Sequence, residues 1–568
     1  MYYVFRNVEL DTLFINIENR IMKANIKYLF SICAAALISG CTDLDVKVES
    51  QYTEYPTDNE IAVEAKMADV YFQMRDCFGR RYMEAMSLSS DEYTAVSYGG
   101  GWYDSGAYAH PSLHDFTAED ATIDWMGTLT GGCTKANIII RDLGGDEAGE
   151  IIAPARAMRA FFHFIMMDCW GDAPILDHLP SDGELIDRSP RADVAKFIEK
   201  ELLEIIPQLT DEVSANTYGK PTKWMAEALL VKLYINWAVY TAASVDKYDA
   251  ATATNEKLND CIKYCDDIIT NGGFSLGSMS YQKKFGPDNG SHVEDFIYAM
   301  PYDTYTATGM QHGRARTWKK AGNVELSYYG MKLSSSAGGY ITMTPEFAEL
   351  FEDASKAGDR IKSILRGPVY VYNPETYEPT TEPALDPNGN QIVLTKSITL
   401  DTPNDVQLGV GDDIEGYNQG YRSVKFFVID DDFKNSRNQS NDYPIFRYAD
   451  ILLTKAEALL RGGVSTERPQ DTPVSLFNEI RRYVHAEEVT SVNLDELYDE
   501  RGREFFDENW RRNDMIRFGH FEDEFFPHYH DFKTANFDKT RRIFPLHRDM
   551  LNTNPNWEQN PGYPEYHN

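Results

Sequence analysis

Hydrophobic positions recur every three or four residues toward both ends of this chain and lose that rhythm in the middle. The first periodic stretch predicts a helix over 59–78 and the second a helix over 125–143, stopped by Gly144 and Gly145. The spacing is clearest in 154–170, where Ala157, Ala160, Phe161, Phe164 and Met167 share a face before Gly171 and Pro174 end it. Ser189 and Pro190 supply an N-cap and a first-turn proline for a helix through Ile206. Its inward positions are Val194, Phe197, Ile198, Leu202 and Ile205. Two more helices are predicted over 222–240 and 255–270.

The pattern changes after Gly272. From there to Asn441 the chain is rich in Gly, Pro, Asn, Asp and Tyr, with short alternating runs at 369–372 and 392–398 around a turn at 386–390. Long loops of this kind on a rigid scaffold commonly carry function. Helical spacing returns over 444–460, with Ala449, Leu452, Leu453, Ala456, Leu459 and Leu460 on one face, then over 473–483 and 494–518. Small residues at packing positions, Ala157 with Ala160, Ala226 with Ala228 and Ala449 with Ala456, let neighbouring helices approach closely. The expected fold is therefore mainly α: paired helices of tetratricopeptide-like type forming a scaffold, with long irregular loops and small β-hairpins inserted. No strict repeat period is present, which argues against a regular solenoid.

The start of the chain is a separate matter. Leu37-Ile38-Ser39-Gly40-Cys41 forms a lipobox, preceded by Lys23 and Lys27 and by an apolar run over 28–38 too short to span a bilayer. Cleavage would leave Cys41 as the first residue, carrying lipid on its sulfur and amino group and tethering the protein to a membrane surface. Glu9, Asp11 and Glu18 make 1–21 a poor lead for such a signal, so translation from Met22 is the simpler account. The expected organisation is a signal peptide over 1–40, a helical part over 41–271 and a part over 272–568 that is loop-rich to 441 and then helical, together one compact unit.

Composition narrows the function. A formal charge of -34 repels nucleic acid and anionic lipid headgroups over most of the surface and leaves neutral ligands unaffected. Arg314, Arg316, Lys319 and Lys320 form a local exception. With 42% apolar residues and a mean hydropathy of -0.46, the chain reads as a folded water-facing protein. Beyond Cys33 and Cys41, Cys77, Cys133, Cys169, Cys261 and Cys265 fall in helical patterns and are expected to be buried free thiols. No ligand set for a metal and no cofactor motif is legible.

Several segments resemble the SusD/RagB family, surface lipoproteins with which Bacteroidota bind nutrient glycans and similar polymers. They are 155–164 leading to Trp170-Gly171-Asp172-Ala173-Pro174, then 188–190, 444–453 with Ala456-Glu457-Ala458, Glu500-Arg501-Gly502-Arg503-Glu504-Phe505 leading to Asp514 and Arg517, and the ending 554–563. The acidic start at 41–45 is similar to the family's tether. Asn509 stands where the family usually has glycine and Trp557 where leucine is common. The motif charges Arg447, Glu457, Arg501, Glu504 and Asp514 read as ion pairs between helices, since buried charges must be paired.

The resemblance implies a loop-built glycan site in which aromatic rings stack on sugar faces, a SusC-like TonB-dependent outer-membrane transporter as partner, and a lipid-anchored position on the outer membrane facing the cell exterior. A flat ring covers the C–H face of a pyranose while polar groups and water meet its hydroxyls. Tyr98, Trp102 and Tyr103, with Tyr108, form one candidate cluster. Tyr305, Trp318 and Tyr328, with Tyr302 and Tyr329, form the second. Asn323, Asp104, Arg314 and Arg316 are candidate hydroxyl partners. For each ring the competing reading is a cover over the core beneath a loop. An enzyme is not expected. The alternatives are a surface glycoside hydrolase using two carboxylates, for which no local motif singles out a pair, and a helical scaffold that binds only protein. His110 and His114 read as ordinary surface histidines, without the partners of a catalytic triad.

Overall fold

The computed structural model describes residues 60–99, 101, 103–315, 327–328, 331–335, 340–386, 388–528 and 535–566. The lipobox with Cys41, and Trp102, Arg316, Trp318, Lys319, Lys320, Asn323 and Tyr329, lie outside the described residues. Tyr328 is described as backbone alone.

The molecule is mainly helical, as the periodicity predicts. α1 (Glu60–Tyr71) is followed by a π-helical turn and α2 (Tyr82–Leu88). α3 (Met126–Asp142) and α4 (Ala153–Trp170) pack as a pair, and α4 packs in turn on α5 (Arg191–Ile205). Close approach of α3 and α4 depends on Gly132, where a Cβ would come within 2.6 Å of the Phe162 ring. α6 (Lys223–Ile235), α7 (Leu258–Asn271), α8 (Tyr448–Leu460) and α9 (Pro473–Tyr483) continue the stack, α7 lying against both α6 and α8. α10 (Leu494–Phe505) and α11 (Arg511–Phe518) close it. Residues 57–568 form one compact unit.

α4 is buried along almost its whole length, so its arginines need partners inside the protein. Arg156 and Arg159 both reach Glu201 on α5, at 2.6 and 2.5 Å, which locks the pair. Two larger networks do the same for the C-terminal helices. Asp450 accepts Lys232 and Arg501 at 2.6 and 2.9 Å, Asp514 takes Arg501 and Arg517, and Glu457 takes Arg517 and Arg461. Arg447, Arg360, Lys284 and Lys425 meet Asp295, Glu500, Glu504 and Glu508 in the second. The motif charges are structural, as their types and positions led one to expect.

Three elements differ from the sequence reading. The expected helix at 444 begins at Tyr448, because Tyr443–Arg447 is a buried strand paired antiparallel with Phe296–Met300. A short apolar run reads equally well as strand or helix, and its strand partner is remote in sequence. The expected helix over 494–518 is broken at 506–510. Lys425 donates to the carbonyls of Glu504 and Phe506 at 2.9 Å each, and Glu92 accepts the Asp507 N–H at 2.5 Å. The break also explains the glycine-to-asparagine departure: Asn509 holds φ +66°, a conformation Asn tolerates, and donates to the Tyr443 hydroxyl at 2.7 Å. The helical character of 59–78 continues past its expected end, through Leu88.

Between α7 and α8 the chain forms two-residue to five-residue strand pairs and single-turn helices. Asp386 closes the expected turn, its carboxylate accepting the N–H groups of Asn388 and Asn390. All five described cysteines are buried free thiols. No helix among the described residues is long and apolar enough to cross a membrane.

The histidine reading needs correcting. His114 is buried, with its ring stacked on Phe521 at 4.5 Å and against His528 at 4.2 Å, and its Nε2 meets the Ser89 carbonyl. His110 pairs with Asp120 at 2.8 Å. A helical turn over 109–113 and the aromatic run after α11 produce this packing, and neither is visible as periodicity. Burial lowers both His114 and His528, the latter to about 4. The unfolded chain therefore binds these protons first, and the stability the pair contributes above pH 6.5 is lost as pH falls toward 4. Calorimetric Tm should decline across that window, and less steeply in His528→Phe. Parallel profiles would show that the pair is not responsible.

Candidate functional site

Both aromatic loops rest on the segment between α1 and α2. Residues Cys77–Arg81 widen there into a π-helix, a departure from α geometry frequent at functional sites. Gly79 makes the contact possible: a Cβ at that position would lie 2.1 Å from the Gly309 carbonyl oxygen. The Gln311 N–H donates to the Gly79 carbonyl at 3.1 Å. The Tyr302 hydroxyl donates to the Arg75 carbonyl. On the other side Arg80 donates to the Tyr108 hydroxyl and to Glu84, each at 3.1 Å. Tyr108 packs on Tyr340, whose hydroxyl donates to Glu84 at 3.2 Å. Loops far apart in sequence thus share one brace.

Tyr305 is displayed on a turn with little freedom. Oδ1 of Asp303 accepts the N–H groups of Tyr305 and Thr306 at 2.6 and 2.5 Å, and Oδ2 accepts the Ala307 N–H at 3.1 Å together with the Thr306 hydroxyl. Burial pushes the Asp303 carboxyl up, but these hydrogen bonds outweigh it and hold the group at about 2. Tyr305 is 78% exposed, against 37% for Tyr370 in the strand pair Tyr370–Tyr372 with Pro379–Pro383. An ordered backbone holding an exposed ring loses little entropy when that ring is covered.

The other predicted rings divide. Tyr98 is buried, stacked on Tyr417 at 4.8 Å, and its hydroxyl accepts from Arg422 at 3.0 Å. Tyr103 is half-buried against Ala109, Leu113 and Leu408. Tyr302 and Tyr108 are buried as well. In these loops the rings that hold the loop down and the ring offered to solvent are different residues. Asp104 is exposed and holds φ +45°, next to Ser105 at +59°. Tyr328 lies in a strand pair, Ser327–Tyr328 with Met331–Lys332. Arg314 is half-buried and donates to Gln311 at 3.1 Å.

One neighbour of Tyr305 has no signal in the sequence. The turn at 434–439 packs beside 302–311: Asn435 donates to Thr304 at 3.3 Å, Asn438 accepts the Gly309 N–H at 3.2 Å, and Gln439 N–H donates to the Met310 carbonyl at 3.0 Å. Lys434 lies within electrostatic reach of Tyr305. Ser436 and Arg437 both hold positive φ, +58° and +64°. Consecutive non-glycine residues in that region persist only where the surroundings fix them, and such positions gather at functional sites. An exposed ring next to a turn rich in amide groups can cover an apolar face while the polar groups around it meet hydroxyls. Among the described residues no cluster of His, Cys, Asp and Glu could hold a metal ion.

Comparison with known proteins agrees with this architecture. A family model described as the SusD family matches residues 409–563, and a second, described as starch-binding associating with outer membrane, matches residues 44–235. The chain is 25% identical over 468 residues to the starch-binding protein SusD of Bacteroides thetaiotaomicron, covering 78% of each chain. It is similar in fold to surface glycan-binding protein A from Bacteroides uniformis, with TM-score 0.64 and 15% identity over 88% of this chain and 99% of that one. A laminarin-binding SusD-like protein superposes with TM-score 0.63 and 18% identity, over 89% of this chain and 100% of the other. The matched segments include α3 to α6 at one end and α8 to α11 with their buried ion pairs at the other, so the chain belongs to the SusD/RagB family.

Proposed function

We propose that this protein is a cell-surface lipoprotein that binds an extracellular oligosaccharide or polysaccharide without cleaving it and delivers it to a SusC-like TonB-dependent transporter. The observation that carries the reading is the exposed Tyr305 ring on its Asp303-fixed turn, beside the turn whose Asn435 donates to Thr304 and whose Asn438 accepts the Gly309 N–H. Trp102, Tyr103, Trp318 and Tyr328 are further candidate ligand contacts in this reading, and the buried Tyr98 is a support. Relatives named for binding starch and laminarin, and a family description that places its members at the outer membrane, support the ligand class and the address. The lipid on Cys41 would hold the body beside a barrel in the same membrane and raise its effective concentration there. The net charge of -34 fits a neutral glycan better than a polyanion.

Hydrolysis needs a proton donor and a carboxylate both open to the sugar. Asp442 and Asp303 have the split acidities of such a couple, near 6 and near 2. Both Asp442 oxygens, however, are engaged inside the protein, and Asp303 is consumed by its own turn. Isothermal titration against starch, laminarin and a wider glycan panel tests the proposal. Tyr305→Ala should weaken binding by about two- to tenfold, from about 0.5–1.5 kcal/mol of lost ring contact. Its Tm should stay unchanged, because the ring is exposed. Equal affinity in the variant, or sugar released by the purified protein, would remove the reading.

A further inference from the structure

The turn that presents Tyr305 is anchored from beneath by one carboxylate. Asp442, 7% exposed, immediately precedes the strand Tyr443–Arg447. Its Oδ1 accepts the Tyr302 N–H at 2.7 Å and its Oδ2 accepts the Tyr218 hydroxyl at 2.8 Å. Its own N–H donates to Asn289 Oδ1 at 2.7 Å, and its carbonyl accepts from Asn289 Nδ2 at 3.0 Å, which fixes the side chain's origin. Tyr302 adjoins Asp303, the residue that closes the Tyr305 turn. Backbone at 302 is therefore tied on one side to Asp442 and, through the ring hydroxyl, to Arg75 on the other. No substrate contact is available to Asp442 itself; whatever it does, it does through the turn.

We propose that Asp442 is the positioning residue of the ligand-binding turn, and that its ionised form holds Tyr305 in place, so that glycan binding weakens as the medium acidifies. The proposal rests on the binding role assigned to Tyr305 above. The groups facing Asp442 are Tyr218 from the loop before α6, Tyr302 and Asp303 from the turn, Arg75 from the segment between α1 and α2, and His292 across the corner at Gly290. Burial raises the carboxyl to about 6; the Tyr302 and Tyr218 bonds and the charge of Arg75 offset only part of that, and Asp303 adds to it. In a neutral medium the group is a carboxylate accepting two charge-assisted hydrogen bonds. A proton taken up on either oxygen converts them to neutral bonds of about half the strength.

The effect on global stability has the opposite sign. Because its folded value lies above the ordinary one, the native protein holds this proton more tightly than the unfolded chain, and Asp442 favours folding more as pH falls from 6 toward 4. A residue that merely supported the scaffold would move affinity and stability together. This one moves them apart.

The experiment is a titration with an oligosaccharide bound at neutral pH, repeated from pH 7.5 to 5 on the full chain and on Asp442→Asn. Wild type should lose about fivefold in affinity with a midpoint near pH 6. In Asp442→Asn the amide still accepts from Tyr302 and reaches Tyr218 but cannot ionise. Its affinity should be flat across the range and match wild type at pH 5. Hydrogen–deuterium exchange of the peptide spanning 302–307, corrected for intrinsic rates, reads the same turn without ligand. Protection should fall below pH 6 in wild type and not in Asp442→Asn. A flat wild-type exchange profile, or the same profile in both proteins, overturns the proposal even if no glycan binds. Exchange that follows Asp442 in a protein that binds no glycan at any pH would instead overturn the ligand reading and leave the anchor standing.

Discussion

Replacing Arg447 with methionine should destabilise the protein by about 3–5 kcal/mol, a large part of the roughly 5–15 kcal/mol that holds a typical domain together. Arg447 is 1% exposed and touches three carboxylates: Asp295 at 2.6 Å, Glu504 at 2.9 Å and Glu508 at 2.7 Å. Each has a second cation, Lys284, Arg360 and Lys425 respectively, so the loss leaves three buried anions half-compensated. Methionine fills most of the space and donates nothing. The urea midpoint should fall with an unchanged slope. Arg482→Met, at a pair with Glu488 that is about half exposed on both sides, should change the midpoint very little. Equal effects at the two positions would mean that burial does not govern these pairs.

The second large effect is expected at Gly79. By helix propensity alone Gly79→Ala should stabilise, by up to about 1 kcal/mol. The geometry predicts the reverse. The new methyl would lie 2.1 Å from the Gly309 oxygen and 2.9 Å from the Met310 nitrogen, both backbone, so the 302–311 loop must lift from the π-helix. A cost of about 1–3 kcal/mol is expected from overpacking of this kind. Because the same loop carries Tyr305, glycan affinity should fall with it, by about tenfold or more. Thermal melting and titration of one preparation measure both. Affinity lost with Tm raised would show that the loop moves without strain, and both raised would contradict the bracing role.

How much of this was legible in the chain depends on whether the determining partner is near in sequence. α4 could be read residue by residue, since its helical face and its stop at Gly171 are local. Arg447, Glu457, Arg501, Glu504 and Asp514 could be recognised as paired because charges on apolar helices have few other options. The other members of their network, Asp295, Lys284 and Lys425 from the segment between α7 and α8, could not. The break at 506–510 is set by Lys425 and Glu92, and the strand at 443–447 by 296–300; both are tertiary facts that override a local pattern. At the site, sequence located aromatic loops but could not tell an anchoring ring from an offered one. Tyr98 and Tyr302 face inward because the Tyr98 hydroxyl accepts from Arg422 and the Tyr302 hydroxyl donates to the Arg75 carbonyl, while Tyr305, three residues from Tyr302, faces out. The turn at 434–439 looks like any polar turn until the fold sets Asn435 beside Thr304 and Asn438 beside Gly309.

The role of Tyr305 is tested most directly by the crystal structure of the protein with a bound oligosaccharide. A sugar ring should lie face-on against Tyr305, with its hydroxyls toward the turn at 434–439. A different seat is available, the cleft of about 350 Å³ lined by Lys362, Arg366, Pro368, Tyr370 and Tyr372. Sugar in that cleft, with Tyr305 uncovered, would show that Tyr305 is not the binding ring.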